Sequence, residues 1–185
     1  MMCNAWDLSA YQATILCEDQ TQYRLAREFL KLGKVSERKI YDRIAPPGSG
    51  SGKAWVLKHV AQEVTELRRR ASRTLLLIVI DADEQETEAA CREIRCRYEA
   101  LQLPEHNPVI AIVPKRNVES WLHFLLRGEI DEERSFKRLY MKQLSYRDQA
   151  AKLVQVVRSV AQDDLPPSLA MARQAWLQSG LFSHH

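Results

Sequence analysis

Four cysteines occur in the 185 residues, Cys3, Cys17, Cys91 and Cys96, and no two of them form a Cys-x-x-Cys pair. The five histidines show no zinc-type spacing beside them, so no structural zinc is expected. No apolar run reaches the ~20 residues that span a bilayer. The opening MMCNAWDLSA has neither the basic flank nor the apolar core of a signal peptide. These features predict a cytoplasmic protein with reduced thiols and no membrane partner. Glycine and proline are sparse, at 6 and 7, and no repeat or low-complexity tract is present. Charge of one sign is also scarce: 27 Lys and Arg against 24 Asp and Glu leave only +3. Nucleic-acid binding therefore has to be argued from a local site rather than from net charge. What remains is 45% hydrophobic residues in a chain long enough for one ordinary core.

The clearest strand is Thr74–Ile80, a continuous apolar run that stops at Asp81, as expected for a strand covered on both faces. Val109–Val113 repeats the pattern, Ala13–Cys17 is a shorter version, and Lys39–Ile44 is a fourth candidate of mixed propensity. Helical spacing of apolar residues runs through Thr21–Leu32, Ala54–Ala71 and Glu84–Leu101. Asn117 suits the N-cap of a short helix, Val118–Leu126, and Gly128 its stop. Beyond it, Ser135–Leu144, Tyr146–Gln162 and Pro167–Gln178 read as helices with no strand among them. The expected architecture is α/β, a mainly parallel, Rossmann-like sheet of about four strands flanked by helices in residues 1–130. Residues 131–185 form a helical extension packed on the same domain.

Acids fall where strands end. Glu18 and Asp19 follow the first strand, and Asp81 and Asp83 follow the most apolar one. In a parallel sheet these ends share one edge, where ligand sites lie. If strand geometry continues, Asp81 and Asp83 point the same way and can share a hard cation, with Glu18 completing the cluster. Magnesium is the natural ion and manganese a substitute. The alternative is that Asp81 and Asp83 cap a helix starting near Glu84, as Asp19 can cap the helix after it through Tyr23. Glu84 and Glu86 fit ordinary first-turn acids. Lys115 and Arg116 follow the Val109–Val113 strand and could hold a phosphate or offset charge on it. Glu119 is either a further acid near the metal or a helix N-terminal residue.

Pro46–Lys53 is glycine-rich but lacks the P-loop positions, having Pro47 six residues before Lys53 and Ala54 after it. It is either a turn or a phosphate-facing loop in which Lys53 contacts a nucleic-acid backbone. Arg68, Arg69, Arg70 and Arg73 can contact phosphates or form a solvated helix end. Trp176 and Leu177 can support partner contacts or pack on the core.

The run Ile15–Leu16–Cys17–Glu18–Asp19–Gln20–Thr21–Gln22 before a helix, followed by Leu77–Asp83 with its Asp81-x-Asp83 pair, resembles the Toprim fold of topoisomerases, primases and OLD-family nucleases. The Lys115–Leu122 segment is similar to that of small stand-alone Toprim-like proteins of bacterial defence systems. The likeness covers residues 13–127. It implies divalent-metal binding by Glu18, Asp81 and Asp83, with Mg²⁺ or Mn²⁺ serving phosphodiester hydrolysis in DNA or RNA. It further implies an anti-phage role beside a separately encoded OLD-, ABC- or SMC-like ATPase, and leaves a homo-oligomer open. The chain departs from the family pattern in having Asp19 where many relatives have Gly, Gln22 where OLD-like members carry an acid, and Gln85 in place of a third acid. The competing expectation is a non-catalytic Toprim-like or receiver-like sensor module, in which Glu18, Asp19, Asp81 and Lys115 would form the acidic pair, phosphoacceptor and lysine.

Overall fold

The computed structural model describes residues 6–103, 107–128, 131–136, 145–159 and 164–181. Its described elements are β1 (Gln12–Cys17), α1 (Gln20–Leu32), a 3₁₀ turn (Glu37–Lys39), β2 (Ile40–Ile44), α2 (Gly52–Arg69), β3 (Thr74–Val79), α3 (Thr87–Cys96), β4 (Val109–Ile112), α4 (Val118–Arg127), α5 (Tyr146–Ser159) and α6 (Pro167–Gln178). The helix expected over Ser135–Leu144 lies outside the described residues except for Ser135 and Phe136, which are not helical.

Alternation along the strands builds two cores. Ala13, Ile15, Cys17, Leu75, Leu77, Val79, Ile110 and Ile112 face α1, α4, α5 and α6. Leu16, Leu76, Ile78 and Ile80 face α2 and α3. Both faces being covered, the strands read as unbroken apolar runs. The sheet is all-parallel with the order β2-β1-β3-β4, an α/β arrangement of Rossmann-like type. β2 lies on the edge, three of its five residues are exposed, and this accounts for its mixed sequence.

This order positions the site. From β1 the chain moves outward through α1 to β2, then returns through α2 across β1 to β3 and continues outward to β4. The connections leaving β1 and β3 thus diverge, opening a crevice between the carboxyl ends of those two strands. Glu18 stands on one side of it and Asp81 on the other.

The C-terminal helices close the α1 face. Trp176 is buried against Phe29, with ring centroids 5.0 Å apart. Trp121 of α4 donates through Nε1 to Ser168 Oγ at 2.7 Å. Ser168 in turn donates from both its backbone N–H and its hydroxyl to Glu132. Gly128 adopts a left-handed C-cap with φ of 73°, the conformation that favours glycine at a helix end. No helix among the described residues is long and apolar enough to cross a membrane.

Cys17 is fully buried in the core, and desolvation, reinforced by the neighbouring Asp19 carboxylate, pushes its thiol up to about 12. Cys91 is partly buried and raised for the same first reason, whereas Cys96 is exposed. Since the thiolate is the reactive form, alkylation of a Cys3→Ser variant near pH 8 is expected to modify Cys96 first, Cys91 slowly and Cys17 only on unfolding. Mass spectrometry of peptides over time reads the order. Rapid native labelling of Cys17 would contradict the packing of β1.

Candidate functional site

Asp19 caps α1, its Oδ1 accepting from Gln22 N at 2.9 Å. The bond goes to Gln22 and not to Tyr23, whose N–H instead meets the Asp19 carbonyl. Capping brings the Gln22 side chain back over the end of β1. There its Oε1 accepts from Glu18 N at 3.0 Å, and its Nε2 donates to Asp81 Oδ1 at 2.9 Å. Glu18 Oε1 accepts from Asp81 N at 2.6 Å. Glu18 and Asp81 are therefore joined across the crevice both directly and through one buried amide. Gln22 is 1% exposed and Asp81 3% exposed while Glu18 is partly buried, so the Gln22–Asp81 bond is shielded from water and satisfies groups that would otherwise be costly to bury.

Gln22 gains significance from this geometry. In sequence it is a departure from an acidic position, but it sits on the stripe Gln22, Leu25, Ala26, Phe29 that α1 buries. A polar residue on an apolar stripe was the available signal of a buried partner.

Strand geometry does not persist as far as Asp83. β3 ends at Val79, the ladder to the β4 side is continued by Ile80 N to Ile112 O and Ala82 N to Pro114 O, and Asp83 then turns left-handed with φ of 58°. Asp81 goes inward and Asp83 is exposed, which corrects the expectation that both carboxylates point the same way. Nor do they cap the next helix. The N-cap of α3 is Glu86, because Gln85 N returns to Ala82 O and delays the helix to Thr87. Asp83 lines a cleft with Glu84, Arg116, Asn117 and Ser135.

The glycine-rich loop closes the other side. Ser51 caps α2 through Ala54 N, placing Gly52, the first helical residue, against Glu18. A Cβ built on Gly52 would lie 3.0 Å from Glu18 Cβ and 3.2 Å from Glu18 Oε2. The Glu18 carboxylate thereby sits at the positive end of α2, which favours its anion. Lys53 reaches over the crevice to Ala82 O at 3.2 Å and Gln85 Oε1 at 2.9 Å. Gly52→Ala is expected to displace Glu18 from Asp81 N and to cost about 1–2 kcal/mol in chemical denaturation. An unchanged or raised midpoint, which helix propensity alone would favour, would show that the approach is not tight.

From β4, Lys115 Nζ donates to Glu86 Oε1 at 2.9 Å and lies 3.8 Å from Glu133. The Glu86 hydrogen bond lifts the Lys115 pKa above the usual lysine value despite the opposing desolvation. Arg116 donates from Nε to the Glu133 carbonyl at 3.1 Å, and its Nη2 is 3.6 Å from Glu133 Oε2. Asn117 occupies the N-cap of α4 without a side-chain cap bond and donates instead to Ser135 Oγ at 2.9 Å. Glu119 is buried in the first turn of α4. The roles of Glu86 and Glu133 had no signal in sequence, since each lies in a run of acids where any member looks like a solvated charge.

Glu18 and Asp81 offer hard oxygen donors on adjacent strands. Magnesium retains several waters and binds through one or two carboxylates, donors of the kind these two residues carry. No group of three or more His, Cys, Asp or Glu side chains among the described residues is arranged to hold one. Comparison with family models, with curated proteins and with solved structures gave no match for this chain.

Proposed function

We propose that this chain is a Toprim-like, metal-dependent nuclease or nuclease subunit that hydrolyses phosphodiester bonds in DNA or RNA. The observation that carries the reading is the locked pair Glu18 and Asp81 at the divergence of two parallel connections, with Lys115 and Arg116 leaving the neighbouring strand. Glu18 and Asp81 would hold Mg²⁺ or Mn²⁺, with exposed Asp83 beside the same edge and Glu119 in reserve at α4. The ion would supply Lewis-acid polarisation of a phosphoryl oxygen and activation of water.

The chain's own residues do the rest. Gln22 and the Asp81 N–H orient the two carboxylates, Gly52 leaves room for Glu18, and Lys53 fixes the turn after β3 by holding Ala82 O. Lys115 and Arg116 bind the phosphate and offset its developing charge. A cytoplasmic setting, an anti-phage role and an OLD-, ABC- or SMC-like ATPase partner belong to the same proposal, as does assembly into a homo-oligomer.

The reading is tested by incubating the purified chain with plasmid, single-stranded DNA and RNA in magnesium, manganese or EDTA. Cleavage of at least one substrate that EDTA suppresses is expected. Inertness toward all three, together with no divalent-ion binding by calorimetry, would contradict it and favour the non-catalytic module.

A further inference from the structure

Glu133 stands between the two cations that follow β4. Its carboxylate spans the two cations after β4, 3.8 Å from Lys115 Nζ and 3.6 Å from Arg116 Nη2. Both separations are longer than the 2.7–2.9 Å typical of a charge-assisted hydrogen bond. The Glu133 side chain is 71% exposed, whereas that of Lys115 is 11% exposed. Lys115 is thus a nearly buried cation, hydrogen-bonded on one side to Glu86 at 2.9 Å, itself 81% exposed, and to the Gln85 carbonyl at 3.4 Å, and faced on the other by Glu133 beyond hydrogen-bond distance. Glu86 does not bridge to Arg116 in any described contact; Glu133 reaches both. An exposed ion pair of this kind is worth little against competing anions.

We infer that Lys115 and Arg116 form an oxyanion site whose resident anion is Glu133, and that a tetrahedral phosphate binds by displacing it. The inference rests on the proposed phosphate-holding role of these two residues, and requires neither a metal nor catalysis. A phosphate has more oxygens than a carboxylate and can reach the ammonium and the guanidinium together at hydrogen-bond distance. Glu133 then sets the affinity threshold of the site, keeping weak anions out.

The test is binding in EDTA, read by anisotropy of a labelled single-stranded oligonucleotide over a salt series, with inorganic phosphate as competitor. Glu133→Gln keeps size and removes the anion; it is expected to tighten oligonucleotide binding about threefold to fivefold, the scale of a surface ion pair. The slope of log affinity against log salt should steepen by about 0.7, one more single-strand phosphate contact. Glu93→Gln is the control. It makes the same charge change at an acid paired with Arg97, two turns and about 10 Å along α3 from Glu86, and should leave binding unchanged.

Stronger competition by inorganic phosphate against Glu133→Gln supports a site that also accepts the free ion. A tightened oligonucleotide with no such competition supports the same site with the nucleic-acid backbone as its source. The inference is overturned if Glu133→Gln binds like the parent, if Glu93→Gln tightens binding equally, or if the gain survives Lys115→Ala/Arg116→Ala. Absence of cleavage with the binding gain intact would count against the nuclease and leave this site standing.

Discussion

Glu18→Gln and Asp81→Asn are each expected to lower metal-dependent cleavage by ~10²-fold or more, the scale seen when one electrostatic contact to a transition state is removed. These replacements separate chemistry from scaffolding. Asn at 81 keeps an oxygen that accepts from Gln22 Nε2, and Gln at 18 keeps one that accepts from Asp81 N, the two bonds seen at 2.9 and 2.6 Å. The native fold and its unfolding midpoint should therefore change little. Asp81→Ala differs, because it leaves the buried Gln22 amide without its partner. It should cost about 1–3 kcal/mol of stability in addition to activity. Initial rates and urea denaturation on the same preparations resolve the two effects. Full activity in Asp81→Asn would remove that carboxylate from the chemistry.

Trp121→Ala is expected to destabilise the protein by about 3–5 kcal/mol, the usual cost of deleting a buried indole. Trp121 is 3% exposed and joins α4 to α6 through Ser168, which is itself bound to Glu132. The substitution leaves a cavity and strips Ser168 of a donor in one step. Trp121→Phe keeps most of the apolar volume and loses chiefly the hydrogen bond, for about 1 kcal/mol. Urea unfolding with an unchanged slope measures both. Equal losses in Ala and Phe variants would place the energy in the hydrogen bond rather than in the packing.

The parallel sheet was legible in sequence because burial on both faces leaves strands such as Thr74–Val79 without alternation. The N-cap position of Asn117 and the stop at Gly128 were readable from local rules of the same kind. The start of α3 was not. Helical periodicity points back to Glu84, but Ala82 N bonds Pro114 O and Gln85 is held by Lys53 and Lys115, contacts that only the folded sheet edge supplies. The same tertiary control turned Asp83 outward.

Within the candidate site, strand ends revealed Glu18 and Asp81, since a break from apolar to acidic is a one-dimensional signal. The amide joining them was marked only by a polar residue on the apolar stripe of α1, and the glycine that leaves room for Glu18 had no mark at all. Gln22 is an ordinary helix residue until the capping bond from its N–H to Asp19 rotates it over β1. Glu133 lies in a segment with no regular element, so no periodicity could bring it to Lys115 and Arg116. Trp176, read with two alternatives, packs on Phe29 in the core.

Glu18 and Asp81 are proposed to form a divalent-cation site. Its most direct measurement is a Mn²⁺ titration followed by electron paramagnetic resonance, on the parent chain and on Glu18→Gln/Asp81→Asn, with and without a single-stranded oligonucleotide. One Mn²⁺ bound by the parent, competed by Mg²⁺ and lost in the folded double variant, is the expected result. Equal Mn²⁺ binding by both proteins, or none by the parent even with the oligonucleotide present, would contradict it.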